Sequence, residues 1–167
     1  MRARVRLAFI VAAALLAAGC YESKVPLASA PSGGIDPRLL GHWREGIEDP
    51  EGADDLLIIQ FDDRHAYGEF LDSAGEEPGR FRLYTVTVGG VPLLNAQVIG
   101  GPDEKGSYSF FRFDFGADSS LSLRMVSDRL IKTPFKTSRE LYDFVRRHLD
   151  DGKLYEDSVR FVRVGDS

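Results

Sequence analysis

Residues 107–125 constrain the fold more than any other stretch of the chain. Phe111, Phe113 and Phe115 occupy alternate positions with Arg112 and Asp114 between them. After Gly116-Ala117-Asp118 the alternation resumes, with Leu121, Leu123 and Met125 set against Ser120, Ser122 and Arg124. A period of two puts successive side chains on opposite faces of a β-strand, so these runs predict an antiparallel pair with one apolar face. That face must be covered, and a run of such strands covers it by closing into a barrel or folding into a sandwich.

The rest of the body extends the pattern. Residues 56–61, flanked by Asp54-Asp55 and Asp62-Asp63, form a nearly continuous apolar run, which predicts a strand buried on both faces or packed under a neighbour. Residues 65–71 follow as its hairpin partner. Residues 80–88 and 91–99 are joined by Gly89-Gly90, a tight-reversal signal, and Gly100-Gly101-Pro102 closes that hairpin. A single helix is expected after Thr137, which stands three residues before Glu140 as in a capping box; Leu141, Phe144, Val145, His148 and Leu149 share one stripe. Asp150-Asp151-Gly152 ends it, and residues 158–164 alternate again as a last strand. The expected fold is mainly β: an antiparallel meander closing to a small barrel, or an incomplete one, with one C-terminal helix and a final short strand.

The first twenty residues have a different character. Arg2, Arg4 and Arg6 precede an apolar run over residues 7–18 that is too short to span a bilayer, and the run ends in Gly19-Cys20. With Ala17-Ala18-Gly19 before the cysteine, the segment resembles the lipobox of bacterial lipoproteins. That resemblance implies cleavage before Cys20, a thioether-linked diacylglycerol on its sulfur and an acylated amino group. Cys20 is the only cysteine of the chain, so no internal disulfide is available to the domain. Residues 21–35, YESKVPLASAPSGGI, show no periodicity and are rich in Pro, Ser and Gly, which predicts a flexible tether with a span of roughly 20 Å. The expected division is therefore a signal peptide over 1–19, a lipidated cysteine and tether over 20–35, and a single domain over 36–167. Tyr21 replaces the aspartate that retains many lipoproteins at the inner membrane; by that resemblance the domain sits on the outer membrane, facing the periplasm.

Without residues 1–19 the chain loses three of its 21 basic residues and none of its 26 acidic ones. A strongly acidic body argues against nucleic acid as a partner. The basic residues Arg124, Arg129, Lys132, Lys136, Arg139, Arg146 and Arg147 concentrate near the helix, where Asp128, Glu140 and Asp143 offer partners; a solvated helix face is the commoner explanation for such a group, and a face toward anionic headgroups or an acidic envelope partner is the alternative.

The domain opens on Asp36-Pro37-Arg38-Leu39-Leu40-Gly41-His42-Trp43. The Gly-x-Trp entry, the antiparallel run, the late helix and a final strand carrying a basic residue together resemble the lipocalin plan. That resemblance implies that Trp43 plugs the closed end of a barrel and that an arginine near the end, Arg160 or Arg163, packs over it. The stretches CYESKVPL, IDPRLLGHW and FVRV are similar to a group of small bacterial outer-membrane lipoproteins, a resemblance that brings no mechanism. Within a barrel, Trp43, Phe111, Phe113, Phe115, Leu121 and Leu123 are the candidates to line a ligand cavity; the same alternation also describes plain core.

Catalytic constellations are poor. His42, His65 and His148 lie on different elements without metal-ligand spacing, there is no nucleophile elbow, and the one thiol is committed to lipid. The acidic pairs Asp54-Asp55, Asp62-Asp63, Glu76-Glu77 and Asp150-Asp151 sit at turns, and residues 48–55 lack calcium-loop spacing. The expectation is a non-catalytic envelope protein with no metal and no cofactor beyond the lipid on Cys20, binding a hydrophobic small molecule. Its alternative is a module that binds a protein partner through its surface.

Overall fold

Eight strands close on themselves. The computed structural model describes residues 21–47, 52–74, 77–100 and 107–165. The signal-peptide and Cys20 readings, residues 48–51 of the acidic stretch, Glu76 and the last two residues lie outside the described part. The strands are β1 (Gly41–Glu45), β2 (Asp55–Gln60), β3 (Ala66–Leu71), β4 (Gly79–Val88), β5 (Val91–Val98), β6 (Tyr108–Phe115), β7 (Leu121–Met125) and β8 (Val159–Arg163). Each pairs antiparallel with its neighbours in sequence, and β8 returns to β1 through Trp43 opposite Arg163 and Glu45 opposite Phe161. The result is a closed meander without an open edge. Gly89 (φ 56°) and Gly90 (φ 86°) supply the two left-handed residues that a two-residue hairpin needs to match strand twist.

Strand alternation sorts the side chains into two cores. Inside the barrel lie Trp43, Leu56, Ile58, Leu83, Leu94, Ala96, Phe113, Leu121 and Phe161. Outside it, the opposite faces of β4–β6 present Tyr84, Val86, Val88, Leu93 and Phe110 to a second layer. Part of that layer is α1 (Ser138–His148), whose capping box forms as the sequence indicates: Thr137 accepts from the Glu140 N–H at 3.2 Å and Glu140 accepts from the Thr137 N–H at 3.2 Å. Leu141, Val145 and Leu149 turn inward from it. The basic residues are largely paired: Arg139 and Arg146 flank Asp143, Arg129 pairs with Glu156, and Arg124 lies 3.9 Å from Asp114.

Two expectations are corrected. Residues 56–61 are not covered on both faces. Leu56 and Ile58 point inward, while Ile59 is exposed and Phe61 is 76 % exposed, because α1 covers β4 and leaves the outer face of β2 bare. Nor do residues 21–32 behave as a free tether. They form a strap along the outside of β4–β6. Tyr21 donates its N–H to the Val126 carbonyl at 3.2 Å, and Ser23 pairs with Tyr108. Leu27 is fully buried, and its N–H donates to Asn95 Oδ1 at 2.8 Å. The Tyr84 hydroxyl donates to the Ala28 carbonyl at 2.6 Å, and the Ser32 N–H reaches the Thr85 carbonyl at 2.9 Å. Burying a leucine side chain contributes about 1.5–3 kcal/mol, enough to hold a segment that has little structure of its own.

Candidate functional site: a cavity in the open half of the barrel

One end of the barrel is plugged. Trp43 is fully buried and its Nε1 donates to the Leu39 carbonyl at 2.9 Å. Leu39 belongs to a short 3-10 turn, Pro37–Leu39, which closes this end from below; Asp36 caps it by accepting from the Arg38 N–H. The Arg163 guanidinium lies 4.3 Å over the Trp43 ring and donates to the carbonyls of Leu40 (2.6 Å) and Arg38 (2.9 Å). The close approach explains Gly41: its φ is +138°, and a Cβ there would collide with the Arg163 guanidinium. Of the two arginines considered for this position, Arg163 is the one over the ring. Arg160 instead donates to Asp118 at 2.6 Å on the β6–β7 turn. There Asp118 also accepts from the Ser120 hydroxyl at 2.6 Å; that bond, and then Arg160, hold its carboxyl well below the usual range.

The other half of the barrel is hollow. A cavity of about 460 Å³ is walled by Leu56 and Ile58 of β2, Phe70 of β3, Phe81 and Leu83 of β4, Leu94 of β5, Phe111 of β6, Leu123 and Met125 of β7, and Val159 and Phe161 of β8. Its volume comes from residue size. An eight-stranded barrel has an interior that side chains just fill or that holds one small ligand. Here Ala96 stands where a larger residue would occupy the space, while Gly68 makes room for the Leu83 side chain packed against it. Among the described residues, the carboxylates at the mouth are Glu45 at the end of β1, Asp54 before β2, and Glu156 and Asp157 before β8. Asp54 accepts from the Ser73 N–H at 2.9 Å. Glu156 meets Arg129 through Oε2, while its Oε1 is shielded from solvent without a hydrogen-bond partner.

The candidate cavity residues therefore divide by height. Phe111 and Leu123 line the cavity. Trp43, Phe113 and Leu121 are buried in the same core but form its plugged floor. Phe115 is no wall of the cavity: it lies at the closed end beneath the Arg38 guanidinium, 4.4 Å from the ring centre. Sequence reasoning missed Phe70, Phe81, Leu83, Leu94, Met125 and Phe161 as lining residues. The signal available was strand parity, since each shares the inward face of a strand already located by its alternation or by its flanking turns.

The histidines do not converge. His42 lies 3.2 Å from Asp55, His65 3.0 Å from Asp62, and His148 approaches the Phe144 carbonyl at 2.8 Å. Among the described residues no cluster of His, Cys, Asp or Glu could hold a metal ion, and no helix is long and apolar enough to cross a membrane. A second depression of about 560 Å³ lies outside the plug, lined by Arg38, Phe115, Asp118 and Arg163 among others. Although larger, about half of its wall is polar, and Asp118 and Arg163 are already engaged there.

These features define a closed eight-stranded antiparallel barrel with one plugged and one hollow end, compatible with a lipocalin-like fold. In comparisons with protein-family models, curated proteins and solved structures the chain matches none.

Proposed function

We propose that this protein is a non-catalytic, lipid-anchored carrier of the cell envelope that holds one hydrophobic small molecule in the open half of its barrel. The observation that supports it is the cavity: about 460 Å³, walled almost wholly by aliphatic and aromatic side chains, within the range of about 300–1,000 Å³ over which ligand pockets bury their occupants. Walls of this kind select by shape and size. Carboxylates at the mouth disfavour an anionic end on the ligand, so the favoured occupant has an apolar body and a neutral or cationic polar end. The anchored part of the reading rests on Arg2, Arg4, Arg6, the apolar run and Gly19-Cys20, with Tyr21 favouring the outer membrane.

The test is native mass spectrometry with organic extraction on residues 21–167, which retain the strap but lack the anchor. A stoichiometric hydrophobic adduct is expected, and its mass gives the ligand class. A bare mass that stays unchanged on incubation with neutral and cationic amphiphiles overturns the reading. The second reading, a module that docks a protein partner, draws on the uncovered outer face of β2, where Ile59 and Phe61 are exposed.

A further inference from the structure

We infer, on the anchored-carrier reading above, that the lipid anchor sets the mouth of the barrel against the bilayer surface, so that the cavity exchanges its ligand with the membrane rather than through water. The strap carries the argument. It begins at the open end: Tyr21 bonds to Val126, the residue after cavity-lining Met125, and Ser23 pairs with Tyr108, the first residue of β6. It then passes Asn95 at Leu27 and reaches Thr85 and Thr87 at Ser32 before entering the Pro37–Leu39 turn at the plugged end. The chain thus enters at the mouth and runs toward the plug.

Tyr21 leaves no slack. Its ring is buried 6.3 Å from that of Phe110 and 6.2 Å from that of Phe135, centre to centre. Adjacent Cα atoms are about 3.8 Å apart, so acyl chains on Cys20 start beside the barrel's open end instead of at the tip of a long linker. The rim has apolar residues to meet a bilayer: Ile47 after β1, Leu71 at the end of β3 (41 % exposed) and Val159 at the start of β8 are all exposed around the same end. Its carboxylates fix the kind of surface. Glu156 is paired with Arg129, but Glu45, Asp54 and Asp157 would be repelled by a strongly anionic leaflet, so contact is closest on zwitterionic phospholipid.

The experiment places a reporter at each end of the full lipidated chain. Leu71→Cys, Ile47→Cys and Phe61→Cys are labelled with an environment-sensitive thiol dye, Cys20 being blocked by its thioether, and are reconstituted in phosphatidylcholine vesicles carrying a lipid-borne quencher. Labels at 71 and 47 are expected to be quenched and blue-shifted, the label at 61 to remain water-like, and quenching to weaken when phosphatidylglycerol is added. Leu27→Ser, which loosens the strap, should abolish the difference between the ends. Equal signals at both ends, or quenching at 61 alone, overturns the inference. The extraction experiment reads the cavity independently: an adduct with water-like rim labels defeats the orientation alone, whereas quenched rim labels with no adduct defeat the carrier reading alone.

Discussion

The two ends of this barrel share the same eight strands and differ in what those strands point inward. At the plugged end Trp43, Phe113 and Leu121 fill the interior, short turns at 61–65, 89–90 and 116–120 join the strands, and an arginine and a 3-10 turn seal the base. At the open end the inward positions include the small Ala96, and about 460 Å³ remains. Strand number and closure permit both states; the size of the residues in each layer decides between them. A hollow half is affordable because the other half, and the outer core under α1 and the strap, are densely packed.

Breaking the plug should have the largest effect. Trp43→Ala removes a fully buried indole from under Arg163, and denaturant unfolding should show a loss of about 3–5 kcal/mol. A loss much smaller than that would mean that the closed end does not hold the barrel together. Gly41→Ala tests the same end more gently. With a φ of +138° and no room beside the Arg163 guanidinium, it should cost about 1–3 kcal/mol in the same assay.

Changes outside the barrel wall should affect stability without touching either end. Tyr84→Phe removes the hydroxyl that holds Ala28 of the strap, at a cost of about 1 kcal/mol. Burial pushes the Tyr84 phenol up to about 12. Its contribution is therefore intact below the ordinary phenol value near 10 and is lost as pH rises from there through about 12. Thermal melts should show that alkaline decline to be shallower in the variant. A parallel decline would show that Tyr84 does not govern it.

The smallest effect belongs to the turn beside the plug. Ser120 and Arg160 hold the Asp118 carboxyl low, so its contribution is present above about pH 4 and disappears as pH falls through the folded-state value. Asp118→Asn should be slightly less stable than wild type at neutral pH, and the two melting curves should converge in strong acid. A gap that persists there would assign the effect to shape rather than charge.

Much of this architecture was legible in local pattern. Alternation located β6 and β7 and their inward faces, Thr137 and Glu140 marked the start of α1, and Gly89-Gly90 marked a hairpin. What local pattern lacks is height along the barrel. Phe111 and Phe115 share a face and a residue type, yet one lines the cavity and the other lies at the closed end under Arg38. That difference depends on the register between paired strands, such as Leu83 opposite Ala96 and Gly68 opposite Phe81. The strap was hidden for a related reason. A segment held by two buried side chains, Tyr21 and Leu27, and a few bonds to other parts of the chain, Leu27 to Asn95 among them, has no periodicity to display.

The most direct test of the central claim is a titration of residues 21–167 with the neutral hydrophobic fluorophore N-phenyl-1-naphthylamine, alongside the variant Ala96→Phe. Ala96 lines the cavity, and a phenylalanine there narrows it at a cost in stability of about 1–3 kcal/mol, as for other small-to-large changes in a packed interior. Saturable one-to-one binding by the wild type that vanishes in Ala96→Phe is the expected result. No saturable binding, or binding that survives the narrowed cavity, would contradict the claim that the open half of the barrel is a ligand site.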